Sequence, residues 1–358
     1  MWKSLKDRAE GVKEMKRMKT TEAVGQVLCH DITQIIPGVT KDAVFRKGHI
    51  IREEDIPVLL SVGKDSVYIW ENDETMMHEN DAAEVLYRMT ANEHMHPSDV
   101  KEGKIEAIAD TEGLLKVDRE KLKKVNAFGE MMIATRHGNT VVKKGDKLAG
   151  TRIIPLVIKK EKMREAEKIC AGIPILNILP FSVRKAAIIT TGNEVYHGRI
   201  KDAFTPVIEQ KIAEFGAEMM FHEIFDDNDR KITDGCLRAI EAGADIVFCT
   251  GGMSVDPDDK TPLAIKNTGA EMISYGSPVL PGAMFLLSYY RKGDKVIPIC
   301  GLPGCAMYNR RTIFDLVLPR LMAADPVTAD ELASLGEGGL CLNCKVCTFP
   351  NCGFGKGW

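Results

Sequence analysis

Apolar and polar residues alternate most regularly over residues 184–322, where short apolar runs are separated by amphipathic stretches. The intervening stretches repeat apolar residues at helical spacing, as in Phe204, Ile208 and Ile212, which places them on one helix face. Strands and helices in strict turn indicate parallel βαβ units with a covered sheet, so the predicted fold class is α/β. The predicted strands are KAAIITT (185–191), AEMMFHEIF (217–225), ADIVFCT (244–250) and KVIPIC (295–300).

The part of the chain that precedes this domain is predicted to form smaller, mostly β-rich α+β modules. Short strands separated by hairpin-like breakers, such as Gly138-Asn139 and Gly145-Asp146, are typical of a small β-rich unit. The predicted division is an N-terminal α+β segment (20–97), a β-rich module (98–160), a connector (161–183), the α/β domain (184–323), a linker (324–340) and a cysteine-rich tail (341–358).

Composition narrows the range of partners. A chain of 358 residues is too long to form a single hydrophobic core of ordinary size, so more than one domain is expected. Its formal net charge of −3 provides no positive field that would recruit nucleic acid or an anionic membrane. The first 19 residues are basic but lack the apolar region of a secretory signal. Because no apolar run reaches the length of about 18 residues needed to span a membrane, we expect a cytoplasmic protein without nucleic-acid or membrane partners.

Three predicted strand ends carry glycine-rich turns: 190–194 (TTGNE), 250–254 (TGGMS) and 301–304 (GLPG). Ligands of open α/β sheets bind at the carboxyl ends of the strands. Glycine allows the backbone to approach a ligand closely, and free amides at the next helix start attract phosphate. The three turns together predict an anionic ligand across this edge, whereas any one of them could simply reverse the chain.

An acidic cluster follows the second of these turns in CTGGMSVDPDDKTP (249–262), which contains Asp256, Asp258 and Asp259. Carboxylates beside a phosphate site would repel the ligand unless a cation lies between them. Mg²⁺ meets this need because it binds through one or two carboxylates while sharing phosphate oxygens. Capping of the following helix is the alternative role for these aspartates.

The last 18 residues contain Cys341, Cys344, Cys347 and Cys352, with the spacing C-x2-C-x2-C-x4-C. Four thiolates can complete a Zn²⁺ tetrahedron or hold an iron–sulfur cluster, and both possibilities stay open. Without a signal peptide a disulfide framework is not expected, so the remaining alternative is a disordered, thiol-rich tail.

The α/β motifs resemble the molybdopterin-binding domain of molybdenum cofactor biosynthesis proteins. The resemblance covers about 184–322 and rests on TTGNE, on TGG-x-S followed by Pro257-Asp258-Asp259 and Thr261, and on the Pro281-Gly282 and Leu302-Pro303-Gly304 turns. This domain recurs in molybdopterin molybdenumtransferase, in molybdopterin adenylyltransferase and in competence-damage-inducible proteins. Residues 24–32 and 46–70 also resemble leading segments of the transferase, which makes it the nearest of the three.

The resemblance implies insertion of molybdate into adenylylated molybdopterin with Mg²⁺-dependent release of AMP, and it implies a homodimer. It places Asp259 as a catalytic residue and metal ligand, and Glu194 as a second catalytic residue. The residues that it implies for molybdopterin binding are Thr191, Gly192, Asn193, Thr250, Gly251, Gly252, Ser254, Pro281, Gly282, Leu302, Pro303 and Gly304.

Three departures from the transferase pattern leave other functions open. An acidic segment like SAMDGYA is missing from the region 35–51, no lysine follows Pro281-Gly282, and the C-terminal β-barrel is replaced by the cysteine tail. The alternatives are a non-catalytic molybdopterin carrier or sensor, and a nucleotide pyrophosphatase like the competence-damage relatives.

Overall fold

The N-terminal part of the protein is a small α+β unit. The computed structural model describes residues 16–36, 40–69, 74–254, 256–257 and 259–357. The elements of this unit are β1 (Arg17–Lys19), β2 (Ile32–Ile36), β3 (Thr40–Phe45), α1 (Ile56–Ser61) and β4 (Ser66–Tyr68), with 3₁₀ turns at Thr20–Glu22 and Glu53–Asp55. Strand β1 pairs antiparallel with β4, and β2 pairs antiparallel with β3. Four buried residues form the core, which are Leu28, Ile32, Leu59 and Val67.

The following part of the chain is rich in short antiparallel strands. The elements are β5 (Met76–His78), α2 (Glu79–Thr90), β6 (Met95–Pro97), β7 (Lys104–Ala109), β8 (Gly113–Val117), α3 (Arg119–Ala127), β9 (Met131–Thr135), β10 (Thr140–Val142), β11 (Lys147–Ile153), β12 (Val157–Lys159), α4 (Lys160–Cys170) and β13 (Leu176–Leu179). One sheet has four strands in the order β6-β7-β11-β9, a second has three in the order β10-β8-β13, and β12 pairs with β5.

Two elements from the predicted connector take part in this packing. Helix α4 buries Met163, Ala166 and Cys170 in the same core as Leu86 of α2, and β13 pairs with β8. The segment is therefore built into the β-rich unit through one helix face and a strand pairing.

The C-terminal half contains one six-stranded sheet in the order β15-β14-β16-β19-β18-β17. Its elements are β14 (Lys185–Thr191), α5 (Asn193–Tyr196), α6 (Phe204–Ala213), β15 (Glu218–Phe225), α7 (Asp229–Glu241), β16 (Ile246–Thr250), α8 (Thr261–Asn267), β17 (Glu271–Tyr275), β18 (Leu286–Lys292), β19 (Lys295–Leu302) and α9 (Ile313–Met322). The first four strands in this order are parallel, which confirms the predicted α/β class.

The strict alternation predicted from the sequence fails at one edge of this sheet. Strands β18 and β19 form an antiparallel hairpin, and β17 pairs antiparallel with β18. The hairpin turns at Gly293, whose positive φ of 60° suits glycine. Both strands of the hairpin bury apolar residues, but a two-residue turn leaves no room for a crossover helix.

The sheet is covered on both faces, as the apolar strands predict. Along β16, Ile246 and Phe248 belong to one core cluster and Val247 and Cys249 to another, because successive side chains of a strand point to opposite faces. The Phe248 ring packs edge-on against Phe314 of α9, with centroids 5.3 Å apart.

The predicted linker and tail are both packed against the α/β domain. Helix α10 (Ala329–Ser334) begins with a capping box between Thr328 and Glu331, and Leu332 is buried in the domain core. Phe354 of the tail is buried in the same cluster. Among the described helices, none has the combination of length and apolar character that spanning a membrane requires.

Candidate functional site

The three glycine-rich strand ends lie in register at one edge of the sheet. Thr190 is opposite Thr250 across the β14–β16 pair, and Thr250 is opposite Leu302 across the β16–β19 pair. The loops that follow these three neighbouring parallel strands therefore begin side by side at the carboxyl ends of the strands. This arrangement is the one that the sequence predicts for a ligand site at the carboxyl edge.

Two of these loops, together with the Pro281-Gly282 turn, surround an open cavity of about 670 Å³ that we call the rim cavity. The described residues that line it are Phe204, Gly251, Gly252, Met253, Ser254, Asp256, Asp259, Leu280, Pro281, Gly282, Ala283, Met284, Pro303, Gly304, Cys305, Met307, Tyr308 and Asn309. The structure therefore brings together eight of the predicted site residues, which are Gly251, Gly252, Ser254, Asp259, Pro281, Gly282, Pro303 and Gly304.

Two of the glycines allow very close approaches that a side chain would block. Gly251 has φ +81°, and a Cβ there would lie 2.1 Å from the carbonyl oxygen of Thr191. Gly282 has φ +124°, and its Cβ would lie 2.4 Å from Cγ2 of Ile313. Because both conformations disfavour side chains, the walls of the rim cavity depend on glycine at these positions.

Three predicted ligand-binding residues, Thr191, Thr250 and Leu302, are buried below the rim cavity and do not line it. The Thr191 hydroxyl donates to the Thr250 carbonyl at 3.0 Å, and the Thr261 hydroxyl donates to the Gly251 carbonyl at 2.9 Å. Thr191 therefore holds the second loop in place from behind. Thr250 Oγ1 is also buried, and it forms no hydrogen bond with any described atom.

Gly192, Asn193 and Glu194 of the first glycine-rich loop do not line the rim cavity. Asn193 and Glu194 are exposed at the start of α5, and Gly192 is buried beside them. The Asn193 amide donates to Oδ2 of Asp227 at 3.1 Å, on the side of the loop toward β15. The loop leaves β14 between β15 and β16, whereas the rim cavity lies over β16 and β19. Glu194 thus lies outside the rim cavity.

The acidic loop does reach the rim cavity, through Asp256 and Asp259. The Asp259 carboxylate accepts from the Asp256 amide at 3.2 Å, while the Asp259 amide donates to the Asp256 carbonyl at 3.0 Å. Helix α8 starts at Thr261 with Lys260 as its N-cap residue and no described side-chain cap, so Asp259 does not serve as that cap. Asp258 lies outside the described residues.

The electrostatic character of the rim cavity is negative. Asp256 and Asp259 are the two charged residues among its described lining. The Tyr275 hydroxyl donates to the Met253 carbonyl at 3.2 Å, and burial together with the charge of Asp259 raises the pKa of this tyrosine. A phosphate placed here would face two carboxylates, so the arrangement favours a ligand that brings or shares a cation.

Metal ligation is not preformed around these carboxylates. Within the ranges that the structure describes, no group of three or more His, Cys, Asp or Glu side chains is arranged to hold an ion. The chemistry of Mg²⁺ requires fewer protein ligands, since it commonly keeps several waters and uses one or two carboxylates plus phosphate oxygens. Asp259, with Asp256 beside it, fits that donor set.

Sequence reasoning missed several residues of the rim cavity. Tyr308 and Asn309 directly follow a 3₁₀ turn (Gly304–Met307) that continues the third loop, and Tyr308 is 73% exposed. Their position just after Leu302-Pro303-Gly304 is a signal that could have identified them. The sequence pattern places Phe204 only on the buried face of α6, but this residue also lines the cavity.

The four tail cysteines line a second cavity of about 240 Å³, which we call the cysteine cavity. All four are free thiols, and Cys344 and Cys347 are exposed. Pro281 and Asn309 line both cavities, so the tail lies directly beside the rim cavity.

Comparisons with known proteins agree with the motifs of the α/β domain. Residues 187–323 match the family described as "Probable molybdopterin binding domain", and residues 17–71 match a domain of unknown function (DUF8806). A "Putative competence-damage inducible protein" from Bacillus cereus (strain B4264) is 30% identical over 129 residues, which is 36% of this chain and 30% of that protein. A protein of the same name from Bacillus thuringiensis (strain Al Hakam) is 28% identical over 95 residues, covering 26% of this chain and 23% of that protein.

Solved structures similar to part of the chain include the tungsten cofactor synthesizing protein MoaB from Pyrococcus furiosus, with 18% identity, a TM-score of 0.34, and coverage of 40% of this chain and 98% of that one. A molybdenum cofactor biosynthesis protein from Corynebacterium diphtheriae has 13% identity, a TM-score of 0.33, and coverage of 40% and 99%. The chain spans about 30% of the length of the first curated relatives it matches. On the family match to residues 187–323 and the motifs within it, the C-terminal α/β domain of this protein belongs to the molybdopterin-binding domain family.

Proposed function

We propose that the rim cavity binds adenylylated molybdopterin and that the protein inserts molybdate into its dithiolene with Mg²⁺-dependent release of AMP, as in molybdopterin molybdenumtransferase. The observation that carries the proposal is the meeting of two glycine-rich loops with Asp256 and Asp259 around one cavity of a molybdopterin-binding domain. Backbone can approach a phosphorylated ligand at these loops, and the carboxylates supply the ligands for a divalent cation.

The residues of the chain have separate tasks in this proposal. Gly251, Gly252 and Gly304 let the ligand contact the main chain, while Asp259, assisted by Asp256, would hold Mg²⁺. When bound, Mg²⁺ acts as a Lewis acid that stabilises negative charge on the phosphate oxygens. Asp259 also needs a fixed position, which its hydrogen bond with the Asp256 amide provides.

The test compares Asp259→Asn with Asp294→Asn. Asp294 is an exposed aspartate in the β18–β19 turn, which lies at the end of β19 opposite to the rim cavity. It serves as the matched control. Wild-type protein and both variants are mixed with adenylylated molybdopterin, molybdate and Mg²⁺, and AMP is measured by chromatography. We expect AMP release to fall about 100-fold or more in Asp259→Asn and to remain unchanged in Asp294→Asn. Equal activity in both variants would exclude Asp259 from the chemistry.

Two other outcomes identify the alternative functions. Tight molybdopterin binding without AMP release identifies a carrier or sensor, an alternative that the missing acidic segment and lysine favour. Hydrolysis of ADP-ribose in place of molybdopterin turnover identifies a nucleotide pyrophosphatase, and the 30% identity to competence-damage inducible relatives favours including this substrate. Light scattering on the same samples tests the homodimer that the resemblance implies.

A further inference from the structure

The cysteine tail is fixed to the protein next to the rim cavity. The Leu280 amide donates to the Gly339 carbonyl at 2.8 Å, and the Cys341 amide donates back to the Leu280 carbonyl at 2.8 Å. This pairing joins the tail to the residue before Pro281. Phe354 is buried in the core of the α/β domain, which anchors the other end of the tail.

All four tail cysteines line one cavity, although they are separated by up to eleven residues in the sequence. Cys341 and Cys352 pack against the domain core and are half-buried, whereas Cys344 and Cys347 are exposed. Together they line the cysteine cavity of about 240 Å³. The cysteines lie between the Leu280 pairing and the buried Phe354 ring, which hold this stretch of the tail at both ends.

The spacing of the cysteines distinguishes between the metal centres that they can form. A zinc ion requires all four sulfurs at about 2.3 Å from one point. A cluster with several iron atoms, each bound by a different thiolate, uses cysteines spread around a larger space, and successive C-x2-C steps such as those through Cys341, Cys344 and Cys347 are typical of it. In the described part of the chain, no three His, Cys, Asp or Glu side chains are already arranged to hold an ion, so the thiols would turn toward the cluster as it forms.

The charges on the cavity wall suit an anionic centre. Four thiolates carry more negative charge than an iron–sulfur core neutralises, so the assembled centre needs nearby cations. Arg310 and Arg311 both line the cavity, and the Arg310 guanidinium donates to the Lys345 carbonyl at 3.1 Å, which leaves its charge unpaired by that contact. Arg311 contacts the side chain of Cys347.

Arg311 places a cation at this wall. Its guanidinium lies 2.9 Å from the Asp315 carboxylate, with which Lys211 also pairs, and Glu214 is a second carboxylate whose charge acts on it. The Arg311 guanidinium also lies 4.9 Å from the centre of the Phe349 ring, which holds it at the tail.

We propose that the cysteine cavity binds an iron–sulfur cluster through Cys341, Cys344, Cys347 and Cys352, with Arg310 and Arg311 balancing its negative charge. A four-iron cluster would assemble from equal numbers of ferrous and ferric ions with sulfide, with loss of the four thiol protons and no net oxidation. It would lie beside the rim cavity, from which Pro281 and Asn309 separate it. The site stands on the geometry of the tail and does not depend on molybdopterin chemistry.

The test uses the full chain, reconstituted anaerobically with equal amounts of ferrous and ferric iron and with sulfide, and then desalted. Cys344→Ser and Cys347→Ser are compared with wild type, since both side chains are exposed and their replacement removes no core packing. Cys305→Ser is the matched control, because Cys305 lines the rim cavity and is not among the residues of the cysteine cavity. Iron, zinc and acid-labile sulfide are quantified, and electron paramagnetic resonance is recorded after dithionite reduction.

We expect wild type and Cys305→Ser to bind iron and sulfide in equal amounts, and the two tail variants to lose most of both. Thermal unfolding of the metal-free variants should match that of wild type, which separates loss of a ligand from loss of the fold. Zinc bound without sulfide would overturn the proposal, as would cluster retention in both tail variants or the absence of metal from reconstituted wild type. None of these readouts involves AMP release, so the result is independent of the function proposed for the rim cavity.

Discussion

Replacement of Gly251 by alanine tests whether the rim cavity depends on the close approach of two strand-end loops. An alanine at φ +81° costs about 1–2 kcal/mol relative to glycine, because Cβ crowds the following carbonyl in the left-handed region. The new Cβ would also lie 2.1 Å from the Thr191 carbonyl oxygen, so the backbone must move to relieve the overlap. Overpacking of this kind adds about 1–3 kcal/mol. The expected loss in the free energy of unfolding is therefore about 2–5 kcal/mol.

Two further glycines separate these contributions. Gly243 has φ +100°, and no described atom lies within 4 Å of the position that a Cβ would take, so Gly243→Ala should cost the conformational part alone, about 1–2 kcal/mol. Gly304 lines the rim cavity, has an ordinary φ and is likewise open, so Gly304→Ala should leave stability within about 0.5 kcal/mol while weakening ligand binding.

The assay is urea unfolding followed by circular dichroism, with the free energy obtained by linear extrapolation for all three variants. Molybdopterin binding is measured on the same preparations. If Gly251→Ala loses no more stability than Gly243→Ala, the two loops separate at little cost, and the argument that their contact shapes the rim cavity is refuted.

Three other substitutions test neighbouring conclusions. Glu194→Gln should leave AMP release unchanged, because Glu194 lies outside the rim cavity; a 100-fold loss would restore its predicted catalytic role. Thr250→Val should be neutral or stabilising in urea unfolding, because the buried hydroxyl lacks a described partner, and reduced ligand binding would show that the ligand itself uses this hydroxyl. Burial tends to raise the pKa of Asp325, but hydrogen bonds from Arg320 and Lys116 outweigh this and lower the pKa. The stabilisation by the ionised Asp325 carboxylate is fully present above its unfolded pKa of about 3.9 and is lost as pH falls through the lower folded pKa. The free energy of unfolding should therefore fall less steeply below about pH 4 in Asp325→Asn than in wild type. Equal slopes for both proteins would contradict this.

The parallel part of the α/β domain could be predicted because its signals are local. Apolar strands such as 185–191 and 244–250 are short and continuous, which is typical of strands buried on both faces. Helical spacing between them requires crossovers, and crossovers make neighbouring strands parallel. The alignment of three loops at one edge follows from that topology alone. The β18–β19 hairpin escaped prediction because a tight turn at Gly293 replaces the crossover.

The candidate site likewise has residues that local motifs identify and contacts that only the tertiary structure shows. Sequence motifs identified the glycines and Asp259, whose residue types carry the chemistry. They could not show that Asn193 and Glu194 of the first loop lie outside the lining of the rim cavity, since this depends on the order of strands in the sheet. Nor could they show that Thr191 supports Gly251 from below, because the contact joins residues on different strands.

The sequence by itself determined which residues of this protein are apolar, where the chain turns, and which side chains can bind a cation or a metal centre. The tertiary structure decided what these residues meet. The pairing of Leu280 with the tail and the burial of Phe354 bring the cysteines beside the rim cavity across some sixty residues of chain. The physical reason is that periodicity reports which face of an element is buried, whereas the partner on that face is chosen by packing between elements far apart in the sequence.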